Sequence, residues 1–357
     1  AADSFAFREG FRTIKAFTAF EIFRQTDMGG LYMDATGIGK FERIDEKSFR
    51  ESLRKLNAFA QGITKPIESM AGTTQHTRDG SFCAAAAAQK EPSLVCPNLY
   101  FAVIPDKSMY ARHSYPTYDP NTARRLLDDE LQGFKVIDLT DALGAKDYYR
   151  TDLHWDQTRL SGVVAALNEE MKFGASGGLD GGVVSADGGG QSGNEILTAG
   201  KWNGVYAGQL ALPVPPDTMR YAENEAMRGA SAKALDPNTG EMTPLPIYDK
   251  TALTGIDPYN FFLGGSQPLI TIENPNAKQR RELYICRDSF GSSLAPLLIP
   301  YYSKITLIDF RYIDSRVLPQ YVTMSSGQPA EQGKPPTDIL FLYSPEVLNQ
   351  PTTLLVG

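Results

Sequence analysis

Three residue types that together can perform acyl chemistry sit in two short stretches of this 357-residue chain. One stretch is Leu283-Tyr-Ile-Cys-Arg-Asp-Ser289-Phe-Gly291 and the other is Thr151-Asp152-Leu-His154-Trp155. A serine hydroxyl is a poor nucleophile near neutral pH until a base takes its proton, and the base needs a partner to fix its tautomer. Ser289, His154 and Asp152 are the right types for nucleophile, base and orienting carboxylate. The Asp-x-His spacing allows a carboxylate to lie near the imidazole without requiring it. The competing reading is structural: Ser289 as a helix cap or turn residue, Asp152 or Asp156 as caps, and His154 as a satisfied surface histidine. Only two other histidines, His76 and His113, occur.

The elements around these residues are legible. Leu283, Tyr284, Ile285 and Cys286 form a short apolar run of strand type. Leu294, Leu297 and Leu298 then recur at helical spacing, and residues 304–310 form another strand-like run. Strand, helix, strand in about thirty residues is the pattern of a parallel β-α-β unit. Ser289 would lie at the carboxyl edge of that sheet, where open α/β folds place ligands. Backbone N–H groups at a helix start there can stabilise an oxyanion. Past Asp156-Gln-Thr, the stripe Leu160, Val163, Val164, Leu167 and Met171 predicts a helix, with Asp152 and His154 in the turn leading into it. Residues 99–104, 134–138 and 338–343 read as further strands. Residues 121–132 read as a helix, as do residues 45–62, with Phe49, Leu53, Leu56 and Phe59 on one side. Asp106, Lys107 and Ser108 follow the 99–104 run and either line the site or form a plain turn. The sum is a mostly parallel three-layer α/β domain.

Other stretches say less about chemistry. Phe7, Phe11, Ile14, Phe17 and Ile22 trace the face of an opening helix that packs on the domain, the alternative being a membrane-proximal amphipathic helix. Gly29-Gly30-Leu31-Tyr32-Met33 reads as a turn and strand. Residues 174–193 form a glycine-rich loop without phosphate-cradling spacing. Residues from about 200 to 260 read as β-strands and loops inserted into a single domain spanning 1–357. Trp202, Tyr206 and Tyr221 there could stack on sugars or simply pack. Cys83 and Cys96 could pair in an oxidising compartment or remain free thiols. No cysteine or histidine spacing suggests a zinc site, and no cofactor is expected. A net charge of -7 argues against a general nucleic-acid binder. No apolar run approaches the ~20 residues needed to span a bilayer, no signal peptide is visible, and the start at Ala1-Ala2-Asp3 allows for a removed export segment or anchor.

Tyr148-Tyr-Arg-Thr-Asp152-Leu-His154-Trp155 resembles the signature of the DHHW family, SGNH-hydrolase-like proteins related to those of alginate O-acetylation. Asp288-Ser289-Phe290-Gly291 looks like the serine block of the same superfamily. Met28-Gly-Gly-Leu-Tyr32, Tyr100 to Lys107, Phe261-Phe-Leu-Gly-Gly265 and Asp309-Phe-Arg311-Tyr312 fit as well, so the likeness spans most of the chain. It departs at Leu153, where the family name implies histidine, and at Ser266, where the pattern often has asparagine. The resemblance implies an SGNH-hydrolase-like fold with Ser289 as nucleophile, His154 as base and Asp152 as orienter. It also implies an oxyanion or substrate role for Gly264, Gly265, Ser266 and Arg311, the last of which could equally form a structural salt bridge. The expected function is O-acetyl transfer to an extracellular polysaccharide, from a donor supplied by an acyl-exporting membrane protein, in an extracytoplasmic location. The alternatives are an esterase with the same triad and a non-catalytic polysaccharide-binding or assembly protein.

Overall fold

A computed structural model describes residues 8–22, 27–71, 97–111, 117–174, 194–322 and 337–357. His76, His113, Cys83, Cys96 and most of the glycine-rich loop lie outside the described residues.

The elements run α1 (Arg8–Phe17), β1 (Asp27–Met28), β2 (Leu31–Asp34), β3 (Gly37–Lys40), α2 (Glu46–Ala71), β4 (Asn98–Val103), α3 (Pro120–Glu130), β5 (Lys135–Ile137) and α4 (Ser161–Met171). They continue with β6 (Glu195–Trp202), α5 (Val205–Leu210), β7 (Asp217–Glu223), α6 (Glu225–Gly229), β8 (Ser231–Leu235), β9 (Met242–Leu245) and β10 (Leu269–Glu273). The last are β11 (Glu282–Arg287), α7 (Phe290–Leu298), β12 (Lys304–Ile308), β13 (Thr337–Tyr343) and α8 (Pro345–Leu348).

Eight strands form the main sheet in the order β5-β4-β13-β11-β12-β10-β8-β9. The first five are parallel neighbours, and they are the five runs read as strands from the sequence. The remaining three pair antiparallel. The strands alternate their side chains between the faces, as the two-residue period requires. Tyr100, Ala102, Ile104, Leu340 and Leu342 join α4 and α7 on one face. Leu99, Phe101, Ile339 and Phe341 join α2 and α3 on the other. The result is a three-layer α/β fold. A fully buried Leu or Phe contributes roughly 1.5–3 kcal/mol. Phe49, Leu53 and Leu56 at 0% exposure therefore hold α2 in place far more than helix propensity could.

Two expectations need correcting. On α1 and the π-helical turn after it, Phe11, Ile14, Phe17 and Ile22 are 52–62% exposed, while Ala16, Ala19 and Phe20 are buried. Ala19 and Phe20 pack against Tyr206, Ala207 and Leu210 of α5, and Arg12 donates to the carbonyls of Gly208 and Gln209. Of the two readings of Trp202, Tyr206 and Tyr221, packing holds: they are 4–5% exposed and form core contacts, so they offer no sugar-stacking face. The region from about 200 to 260 contains two short helices, and its β8 and β9 extend the main sheet. Among the described residues, no helix is long and apolar enough to cross a membrane.

Candidate active site

Ser289 lies two residues past the end of β11, at the carboxyl end of the sheet. It is half-buried, and its hydroxyl makes no capping bond to the helix that follows. Asp288 does that work instead: one carboxylate oxygen accepts from the Phe290 N–H at 3.1 Å and the other from the Ser344 N–H at 2.7 Å. Burial raises the Asp288 carboxyl above the usual range, despite the opposing field of Arg311. Gly291 is required by close approach, because a Cβ there would meet the Arg287 side chain at 2.8 Å. The serine block thus turns sharply from strand to helix without using the Ser289 hydroxyl as a cap.

The histidine arrives from the loop before α4. His154 Nε2 lies 2.8 Å from Ser289 Oγ, and Nδ1 lies 2.6 Å from Asp152 Oδ1. Asp152 and His154 are 3% and 6% exposed. The Asp152 carboxylate also accepts from the main-chain N–H of His154 at 2.9 Å and of Val205 at 2.8 Å. Burial alone would raise this carboxyl; the facing imidazole and these N–H donors outweigh it and hold Asp152 below its usual range. The arrangement fixes a proton on Nδ1 and leaves Nε2 as the acceptor facing the serine. The Tyr259 ring stacks on the imidazole with centroids 3.6 Å apart and planes 8° from parallel.

Several residues that the sequence did not single out hold this loop. Asp217 accepts from the N–H groups of Arg150 and Thr151 and from the Thr151 hydroxyl. Trp155 Nε1 and the Tyr259 hydroxyl both donate to Ser293 Oγ at 2.8 Å, one helical turn beyond Ser289. The loop and α7 are therefore latched at two adjacent points. Lys107, 3% exposed, donates to the carbonyls of Ile38 at 2.5 Å and Tyr149 at 2.6 Å, with Arg150 and Asp152 carbonyls at 3.3 Å. The turn expected at Asp106, Lys107 and Ser108 is present, a 3-10 turn over Lys107–Tyr110 capped by Asp106, and the Lys107 side chain lies beneath the loop as its support. The advance signal was a lysine four residues beyond an otherwise buried strand.

A cavity of about 610 Å³ opens in front of Ser289. Its walls include Leu153, Arg311, Tyr312, Ser344 and Glu346. The Arg311 guanidinium forms a two-pronged pair with Asp309 at 2.9 and 2.7 Å, which is the structural salt bridge, and its side chain also lines the cavity. Gly264, Gly265 and Ser266 do not line this cavity. The Gly265 N–H is donated to the Phe262 carbonyl, and the Gly265 carbonyl accepts from Arg287 and Ser292, so this turn braces the start of α7 from behind. The Ser289 N–H has no protein acceptor among the described residues, which leaves it available to an oxyanion.

Comparison with solved structures finds the same fold elsewhere. A DHHW family protein from Eubacterium siraeum superposes with a TM-score of 0.59 at 17% identity, covering 92% of this chain and 94% of its own. Bacillus cereus PatB1 gives a TM-score of 0.59 at 17% identity, with 89% of this chain and 96% of that one covered. A second structure of PatB1, carrying a sulfonyl adduct, gives 0.58 over 89% and 95%. No family model and no curated protein sequence matches the chain.

Proposed function

We propose that this protein is a serine-dependent acyltransferase that moves an acyl group, most simply acetyl, onto a polysaccharide hydroxyl. The observation that carries this reading is the continuous relay Asp152–His154–Ser289, with contacts of 2.6 and 2.8 Å. In the first step the Ser289 Oγ–acyl bond forms. The serine proton passes to His154 Nε2 and then to the departing donor group. In the second, an acceptor hydroxyl gives its proton to His154, bonds to the acyl carbon and displaces Ser289, which recovers the proton. Asp152 stabilises the transient imidazolium. The oxyanion of each tetrahedral intermediate is met by the Ser289 N–H, beside a cavity of about 610 Å³ that is open enough to admit a sugar.

The shared fold with PatB1 supports the reading, since a structure of that protein holds a sulfonyl adduct and sulfonyl groups bond covalently to nucleophiles. With water as acceptor the same intermediate would make the protein an esterase. An extracytoplasmic location and a membrane protein that delivers the acyl donor belong to this proposal.

The test is intact-protein mass spectrometry after exposure to an activated acetyl ester. Wild type should gain one acetyl group, mapped to Ser289 and absent from Ser289→Ala and His154→Ala. Absence of both adduct and ester turnover in wild type would favour the non-catalytic polysaccharide-binding alternative.

A further inference from the structure

Of the large apolar side chains that remain exposed among the described residues, two, Tyr312 and Leu355, lie in the wall of the cavity in front of Ser289. Tyr312 is 51% exposed. It sits in the turn that follows β12, where its N–H donates to the Asp309 carbonyl at 2.9 Å. The Arg311 guanidinium lies over its ring, 5.4 Å from the centroid. That guanidinium is itself fixed by its two bonds to Asp309. The ring is therefore held from below by an immobile group while much of its surface faces solvent. A cation against one face of a ring also leaves the platform rigid.

The rest of the wall is polar. Ser344 is 6% exposed, its side chain bonds the Asp288 carboxylate, and it lines the same cavity. Gln350 lends one N–H to the Glu346 carbonyl at 3.2 Å, and its amide oxygen accepts no hydrogen bond among the described residues. Thr352 adds an exposed hydroxyl. An exposed aromatic face ringed by hydroxyl, amide and carboxylate groups matches the chemistry of a pyranose. The sugar presents a face of C–H groups and a rim of hydroxyls, and it needs one apolar platform with a few polar partners.

We infer that Tyr312 is the platform of the acceptor subsite, on which a pyranose ring stacks so that one of its hydroxyls reaches the acyl group on Ser289, with Ser344, Glu346, Gln350 and Thr352 bonding the ring's other hydroxyls. This rests on the acyl-transfer reading above and assigns its acceptor class to named residues. In the transfer step the bond between Ser289 Oγ and the acyl carbon breaks as the bond to the sugar oxygen forms. The sugar's proton goes to His154 Nε2 and from there to Ser289 Oγ. The stacked ring competes with water by occupying the space from which water would attack.

The experiment measures how the acyl-enzyme divides between acceptors. Wild type is turned over with an activated acetyl ester in the presence of glycerol or of methyl pyranosides of glucose, galactose, mannose and N-acetylglucosamine, at equal concentration. Acetylated products are counted by mass spectrometry. At least one pyranoside should be acetylated in preference to glycerol. Tyr312→Ala should cut that preference about tenfold, the size expected for losing a buried aromatic contact, while Tyr312→Phe should keep it. Preference for no pyranoside over glycerol, a preference that survives Tyr312→Ala, or its loss in Tyr312→Phe would each overturn the subsite. If wild type forms no acetyl-enzyme on Ser289, the functional reading itself fails and the subsite falls with it. Acetyl-enzyme formation without sugar preference removes the subsite alone.

Discussion

At the scale of single residues, the informative group is Asp152. Both of its oxygens already receive donors: Oδ1 from the His154 ring and main chain, Oδ2 from the Val205 N–H. An Asp152→Asn substitution cannot satisfy this set. If the amide oxygen faces the ring, its NH2 group opposes the Val205 N–H. If it turns over, the NH2 group faces Nδ1 and drives the proton onto Nε2, where it blocks base catalysis of Ser289. We expect turnover of an activated ester to fall by roughly 10³–10⁴-fold, the penalty known for a triad held in the wrong tautomer. A loss of less than tenfold in steady-state kinetics would mean that Asp152 does not set the tautomer. The same carboxylate contributes to acid stability. Its folded pKa lies below the unfolded value near 3.9, so its contribution is present above that pH and is lost as pH falls through the folded value.

At the scale of elements, what was legible followed from burial. The inner parallel strands β4, β13, β11 and β12 are buried along most of their length and read as largely apolar runs, the edge strand β5 is short and exposed at Lys135, and β11, α7 and β12 announce a crossover unit. The strands β8 and β9, at the far edge, are short: Ser231–Leu235 alternates exposed and buried residues but places only alanines on its inner face before Leu235, and Met242–Leu245 carries Thr and Pro with no two-residue period. The contact of Asp152, His154 and Ser289 was visible because the chain has only three histidines and Asp152 and His154 are close in sequence. The supports were hidden because they come from far away: Asp217 lies 66 residues from Thr151, and Val205 lies 53 from Asp152. The contact between α5 and the catalytic loop is the tightest of these. A Cβ at Gly204 would stand 2.3 Å from Asp152 Cβ and 2.5 Å from the Thr151 carbonyl oxygen. Gly204→Ala must therefore push α5 and the loop apart. We expect a loss of about 1–3 kcal/mol in stability, typical of overpacking, together with slower ester turnover, because the Val205 N–H moves away from Asp152. Val205→Ala keeps that N–H and trims a 44% exposed side chain, so it serves as the control. Wild-type rates in Gly204→Ala would show that the loop does not depend on α5.

At the scale of the whole molecule, Lys107 is where separate parts meet. One ammonium group joins the β2–β3 hairpin, through Ile38, to the catalytic loop, through Tyr149, Arg150 and Asp152, from the carboxyl end of the main sheet. Every partner is a carbonyl, and no carboxylate bonds it directly, so burial dominates and pushes its pKa down to about 8 against the pull of Asp152, Asp217, Asp106 and Asp34. The unfolded chain holds the lysine proton up to about pH 10.4. Between roughly pH 8 and 10.4 the unfolded state therefore binds more protons than the folded one, and this group's contribution to stability rises with pH across that window. Below pH 8 the lysine is charged in both states, and its burial cost is constant. Lys107→Met removes the titration while keeping most of the volume. Unfolding by denaturant at pH 8, 9 and 10 should show the wild-type stability rising relative to Lys107→Met across that window, and identical pH slopes would refute it. A neutral amine retains two protons, enough for the short bonds to Ile38 and Tyr149, but it can then drop the longer contacts to Arg150 and Asp152. The hairpin should stay attached at high pH while the catalytic loop loses a restraint. Protection of the Asp152 and His154 amides from hydrogen exchange, referenced to Leu340 in the centre of the main sheet, should therefore weaken above pH 8 in wild type and be independent of pH in Lys107→Met.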